Sequence, residues 1–308
     1  ALCSGNSSPV RTRVATLWDC SKGTLASSSC TEPWRAQDLL TGRLMVSTAA
    51  ATRTILEVQD LKTYLFTRRG VMKAVDGVSF SLGEQEVLGL VGESGCGKTI
   101  TCLSIMRLVP QPAGRIVGGK ILFDGVDLTQ LRGGDMQKLR GCRVSMILQD
   151  PMMSLNPCFT IGAQVGEAIQ IHQKLKRKAV WDRAAEVLGW VQIPAPRQRL
   201  HDYPHQMSGG MRQRVVGAMA ISCQPGLLIA DEPTTSLDVT TQAQYLRLLK
   251  SLQRDLRLSL IFITHDLGIV AKMCDRVAVM YAGKIVESAG VRELFESPQH
   301  PYTAALMA

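Results

Sequence analysis

The stretch GESGCGKT at residues 92–99 constrains this chain more than any other. It has the form G-x-x-x-x-G-K-[S/T], follows a short apolar run (EVLGLVG, 86–92) and opens a helical pattern, KTITCLSIMRLV. Glycines at these positions let backbone N–H groups curl around phosphate oxygens with no Cβ in the way. The helix that follows turns its positive end toward the same anion. Gly92, Glu93, Ser94, Gly95, Cys96, Gly97, Lys98 and Thr99 are therefore the candidate nucleotide contacts. Lys98 can reach the β- and γ-phosphates and Thr99 can ligate Mg²⁺, while Cys96 fills a variable position.

A phosphate loop needs partners from neighbouring strands. LLIADEP at 227–233 is an apolar run ending in Asp231 and Glu232. In a phosphate-loop protein a second strand can bring such an aspartate beside the magnesium. The adjacent Glu232 is placed to act as general base for an attacking water. IFITHD at 261–266 ends a third strand in His265, which can contact a γ-phosphate. Gln149, ending RVSMILQ, can approach either the magnesium or the water.

The remainder organises around this centre. From Ile55, ILEVQDLKTYLF and VMKAVDGVSFSL alternate as strands with one wet face. KILFDGVDL at 120–128 carries an Asp-Gly turn signal and RVSMILQD at 143–150 reads as a buried strand. Residues 151–222 are mostly helical; VVGAMAI within them suits a buried strand or helix. GLLIADEP, LSLIFITHD and DRVAVMYAGKIVE then supply further strands with helices between. The pattern predicts an α/β fold with a parallel core and two additions. Residues 1–53 are rich in Ser, Thr and Ala, poor in acids and without sustained period, so they read as a disordered or non-native extension; Met45 is a plausible start.

Charge and cysteines narrow the class. The net charge of +9 has one dense cluster, KLKRK at 174–178, without interleaved aromatics. It reads as a solvated helix face, and no nucleic-acid partner is expected. The nine cysteines form no CxxC pair, which argues against a disulfide framework or zinc site and fits a reducing compartment. No apolar stretch approaches the roughly 18 residues needed to span a bilayer.

GESGCGKT, Gln149, MSGGM (207–211), LLIADE, SLD (236–238) and His265 occur in an order that resembles the ATP-binding-cassette ATPases over roughly residues 55–308. The resemblance implies a phosphate-loop NTPase core, an antiparallel β subdomain and an α-helical subdomain at about 151–222, with ATP and Mg²⁺ as cofactors. Met207 and Met211 stand where that family favours Leu and Gln. It further implies that two cassettes, identical or not, dimerise head to tail. Ser208, Gly209 and Gly210 of one would face the ATP held by the other's loop. Asp238 would communicate between the two sites, and Gln149 would couple nucleotide to a membrane partner. An aromatic should stack on adenine; Leu65 is the aligned position, flanked by Tyr64 and Phe66, with Tyr64 favoured.

QDPMMSLNP, YPHQMSGGMRQRV, DEPTTSLDVTTQAQ, THDLGIVAKMCDRVAVMYAGKIVE and HPYTAAL resemble the dipeptide and oligopeptide importer branch, which also includes nickel importers. That branch implies two integral permeases, a second ATPase subunit and an extracytoplasmic solute-binding protein, with this chain peripheral on the cytoplasmic face of the membrane. Its members usually continue past the HPYT segment, so a truncated C-terminal tail is expected here. A ribosome-acting cassette would carry two cassettes in one chain. A chromosome-maintenance ATPase would interrupt 99–231 with heptads, which are missing.

Overall fold

The computed structural model describes residues 53–150 and 154–307; the expectations for the N-terminal extension and Met45 lie outside the described residues. The strands are β1 (Thr54–Thr67), β2 (Gly70–Gly83), β3 (Val87–Val91), β4 (Gly114–Phe123), β5 (Val126–Asp127), β6 (Val144–Ile147), β7 (Leu227–Asp231), β8 (Ser259–Thr264), β9 (Arg276–Tyr281) and β10 (Lys284–Gly290). The helices are α1 (Lys98–Ile105), α2 (Gly133–Leu139), α3 (Ile161–Gln173), α4 (Arg177–Trp190), α5 (Pro196–Arg199), α6 (Gly209–Ile221), α7 (Val239–Asp255), α8 (Leu267–Met273), α9 (Val291–Glu296) and α10 (Pro301–Met307).

Two sheets form, for different reasons. β1 and β2 alternate buried and exposed residues and pair antiparallel from Thr54↔Gly83 to Thr67↔Gly70. With β4 and β5 they make the sheet β2-β1-β4-β5, closed by the Asp124-Gly125 turn whose positive φ values suit a tight hairpin. β3, β7 and β8 are buried at every position, as strands covered on both faces must be. They lie in the second sheet, β10-β9-β3-β8-β7-β6, parallel except for the β10 edge.

One apolar cluster lies between this parallel sheet and the helices α3, α4, α6 and α7, and includes Ile161, Val187, Val215, Leu249 and Phe262. The other joins its opposite face to the antiparallel sheet through α1, using Leu56, Leu82, Ile105, Ile229 and Ile263. Burying each such side chain contributes about 1.5–3 kcal/mol. Both clusters pack against the strands that end at the site.

Of the two alternatives open for VVGAMAI, the structure has the helix, within α6. Two local readings shift. The strand expected over 143–150 pairs with β7 only from Val144 to Ile147, so Gln149 lies beyond it. KLKRK is solvated but is not one helix face: Lys174 adopts a left-handed φ of 48° that ends α3, and α4 begins only at Arg177. Among the described residues no helix is long and apolar enough to cross a membrane.

Candidate functional site

Strand register gathers the site at one edge. Val91 pairs with Thr264, Asp231 with Ile263, and Ile147 with Ala230, so the carboxyl ends of β3, β8, β7 and β6 are level. Each end runs on into a candidate: Gly92 and its loop, His265, Glu232 and Gln149. This crevice beyond the strand ends is where open α/β sheets bind ligands.

The phosphate loop is tightly backed. Gly97 precedes α1 with φ 110°, and a Cβ there would stand 2.3 Å from the Ala74 carbonyl oxygen of β2. Gly97→Ala should therefore cost about 1–3 kcal/mol or more from backbone strain alone, read as a thermal midpoint several degrees lower. Lys98 is 5% exposed. Its ammonium donates to the carbonyls of Gly92 (2.7 Å) and Glu93 (2.8 Å) and lies 3.8 Å from Cys96 Sγ. The two carbonyls are uncharged acceptors, so a phosphate oxygen would be a stronger partner.

Thr99 Oγ1 donates to Asp231 Oδ1 at 3.3 Å. Asp231 is 2% exposed, and burial raises its pKa above the ordinary carboxylate range; the Thr99 bond and Lys98 oppose that rise, while the charge of Glu232 adds to it. A buried carboxylate held this way favours a cation beside it. One carboxylate and one hydroxyl, both hard oxygen donors, fit Mg²⁺, which takes its other ligands from phosphates and water.

Glu232 leaves β7 with a left-handed φ of 43°, and its N–H donates to the Ile263 carbonyl at 3.1 Å. Such backbone costs roughly 1–3 kcal/mol and persists where the surroundings over-determine it. Here it aims the carboxylate at three side chains. Oε2 accepts from Gln149 Nε2 (3.0 Å) and Thr235 Oγ1 (3.1 Å), and Oε1 lies 3.4 Å from His265 Nδ1. Gln149 thus pairs with Glu232 rather than with Asp231. Sequence reasoning missed Thr235, whose only signal was its place three residues after Glu232 in DEPTT.

Tyr64 Oη donates to Asp76 Oδ1 (2.7 Å), and the Lys73 ammonium sits 5.6 Å from its ring centre. Asp76 N donates to the Gly283 carbonyl and Gly283 N to that of Cys96, so Tyr64 connects to the backing of the loop. Phe66 is more exposed and lies under Arg115.

The second group of candidates is separate. Ser208 caps α6, its Oγ accepting from Met211 N at 3.3 Å. Gly209 faces open space, whereas a Cβ on Gly210 would meet Thr241 of α7 at 2.6 Å. Asp238 caps α7, accepting from Thr240 N (3.1 Å) and Thr241 N (3.0 Å), and bonds from Thr241 hold its carboxyl below the ordinary range. Among the described residues no hydrogen bond joins Ser208–Gly210 to the phosphate loop. The starts of the two helices approach each other at Gly210 and Thr241, and Ser208, Gly209 and Asp238 are exposed.

A family model described as ABC transporter matches residues 75–235. The oligopeptide transport ATP-binding protein of Bacillus subtilis is 53% identical over 254 residues, covering 82% of this chain and 71% of that protein. The dipeptide transport ATP-binding protein of the same organism is 52% identical over 253 residues, covering 82% and 76%. Among solved structures, a dimeric ATP-binding cassette bound to ADP and phosphate superposes with a TM-score of 0.69 at 22% identity, covering 77% of this chain and 99% of that one. This last likeness concerns the fold.

Proposed function

This chain belongs to the ABC transporter family, and from that premise we propose that it is the ATP-binding and ATP-hydrolysing subunit of an importer of di- or oligopeptides. The observation that carries the chemistry is the convergence of Lys98, Thr99, Asp231 and Glu232 on one level edge of the parallel sheet. The peptide-transport relatives at 52–53% identity favour peptides over nickel as the solute.

In this reading the loop from Gly92 to Thr99 wraps the phosphates with its N–H groups, and Lys98 exchanges its carbonyl partners for β- and γ-phosphate oxygens. Thr99 and Asp231 hold Mg²⁺, which neutralises phosphate charge when bound. Glu232 takes the proton of the attacking water, and Gln149 and Thr235 fix the orientation of its carboxylate. His265 reaches toward the γ-phosphate, and Tyr64 stacks on adenine with its hydroxyl anchored by Asp76. Ser208, Gly209 and Gly210 present N–H groups and the start of α6 to a nucleotide on a second ATPase subunit. Asp238 lies beside them. Two permeases in the membrane and an extracytoplasmic binding protein complete the importer, with this chain on the cytoplasmic face.

Lys98→Ala tests the reading. A charge-assisted bond contributes about 1.5–3 kcal/mol, so ATP affinity should fall roughly 10- to 100-fold. Cells carrying the variant should lose uptake of a labelled tripeptide while Ni²⁺ uptake persists. Unchanged ATP binding would contradict the loop assignment, and loss of Ni²⁺ uptake alone would transfer the importer to nickel.

A further inference from the structure

The HPYT segment at 300–303 has no part in the chemistry above, yet it touches the phosphate loop. Tyr302 Oη accepts a hydrogen bond from the backbone N–H of Glu93 at 3.0 Å. Its ring packs at a tilt of 46° against Tyr281 at the end of β9, with centres 4.6 Å apart. The same β9–β10 turn donates from Gly283 N to the Cys96 carbonyl at 2.9 Å. The loop is therefore gripped at two points, Glu93 N and Cys96 O.

The hydroxyl is itself firmly placed. Glu287 of β10 accepts from Gln299 N (2.8 Å) and His300 N (3.0 Å), which fixes the entry to α10. His300 Nδ1 accepts from Tyr302 N at 3.1 Å, and Thr303 is fully buried. Burial raises the Tyr302 pKa, so the phenol stays neutral at physiological pH and offers a lone pair to Glu93 N–H. Because the donor is backbone, no side chain at 93 can replace the contact.

We infer that Tyr302 is a positioning residue for the phosphate loop: its hydroxyl pre-arranges the Glu93 peptide for a nucleotide triphosphate and ties ATP affinity to the docking of α10. The inference rests on the nucleotide-binding reading of the loop. Pre-arrangement lowers the ordering cost of binding, so the residue acts on affinity and not on the chemical step.

Tyr302→Phe isolates the effect, since it keeps the ring on Tyr281 and deletes only the acceptor. In the full-length chain, Mg-ATP affinity should weaken about three- to tenfold, the worth of one neutral hydrogen bond. In the assembled transporter KM for ATP should rise by a similar factor with kcat unchanged. Without nucleotide, N-ethylmaleimide should modify Cys96 faster than in wild type, while buried Cys274 keeps its rate, both followed by peptide mass mapping. Unchanged affinity with an unchanged Cys96 rate would overturn the inference. So would equal acceleration at Cys96 and Cys274, which would mean general loosening. Failure of the wild-type chain to bind ATP would remove instead the reading on which the inference stands.

Discussion

Glu232→Gln should bind ATP as tightly as wild type and hydrolyse it about 10²- to 10⁴-fold more slowly, the usual contribution of a positioned general base. The two side chains have one shape, so the change removes basicity and little else. The amide oxygen can still accept from Gln149 Nε2 and Thr235 Oγ1, and the amide nitrogen can turn toward His265. Neither the left-handed backbone at 232 nor the Thr99–Asp231 bond is disturbed. With turnover blocked, the ATP-bound assembly has no route to open, so size-exclusion chromatography should show a dimer that persists with ATP and disappears with ADP. Hydrolysis at the wild-type rate would show that another group takes the proton.

What the sequence made visible follows from where each signal resides. Lys98, Asp231, Glu232 and His265 each follow an apolar run, and parallel strands covered on both faces announce themselves by such runs. The phosphate loop then says which strand end matters. The partner of Gln149 was not legible, because it depends on the register Ile147↔Ala230, which no local pattern encodes. α2 went unread because it opens with Gly133 and Gly134, each roughly 1 kcal/mol poorer than alanine in a helix. The break at Lys174 is a single left-handed residue inside a run of good helix formers, so composition hides it. The bond from Glu93 to Tyr302 spans 209 positions and joins a side chain to backbone, a contact to which periodicity is blind.

Ser208→Arg should leave ATP binding by the single chain intact and reduce hydrolysis by about 10²-fold or more, the scale of losing a preorganised anion contact. The structural cost is small. Ser208 caps α6 by one bond to Met211 N, and losing such a cap costs about 1 kcal/mol, a shift of a few degrees at most. A second experiment separates action within the chain from action between chains. Lys98→Ala disables the loop and Ser208→Arg disables the opposing surface, so a homodimer of either has no intact site. A mixed dimer would have one doubly damaged site and one intact site, formed by the loop of the Ser208→Arg chain and the α6 start of the Lys98→Ala chain. Mixing the two inactive variants should therefore restore hydrolysis if Ser208–Gly210 completes the partner's site. If the motif served its own chain's loop, every chain in the mixture would remain damaged and no activity would return. The exposed position of Ser208 and Gly209, with no bond to the chain's own loop, favours restoration.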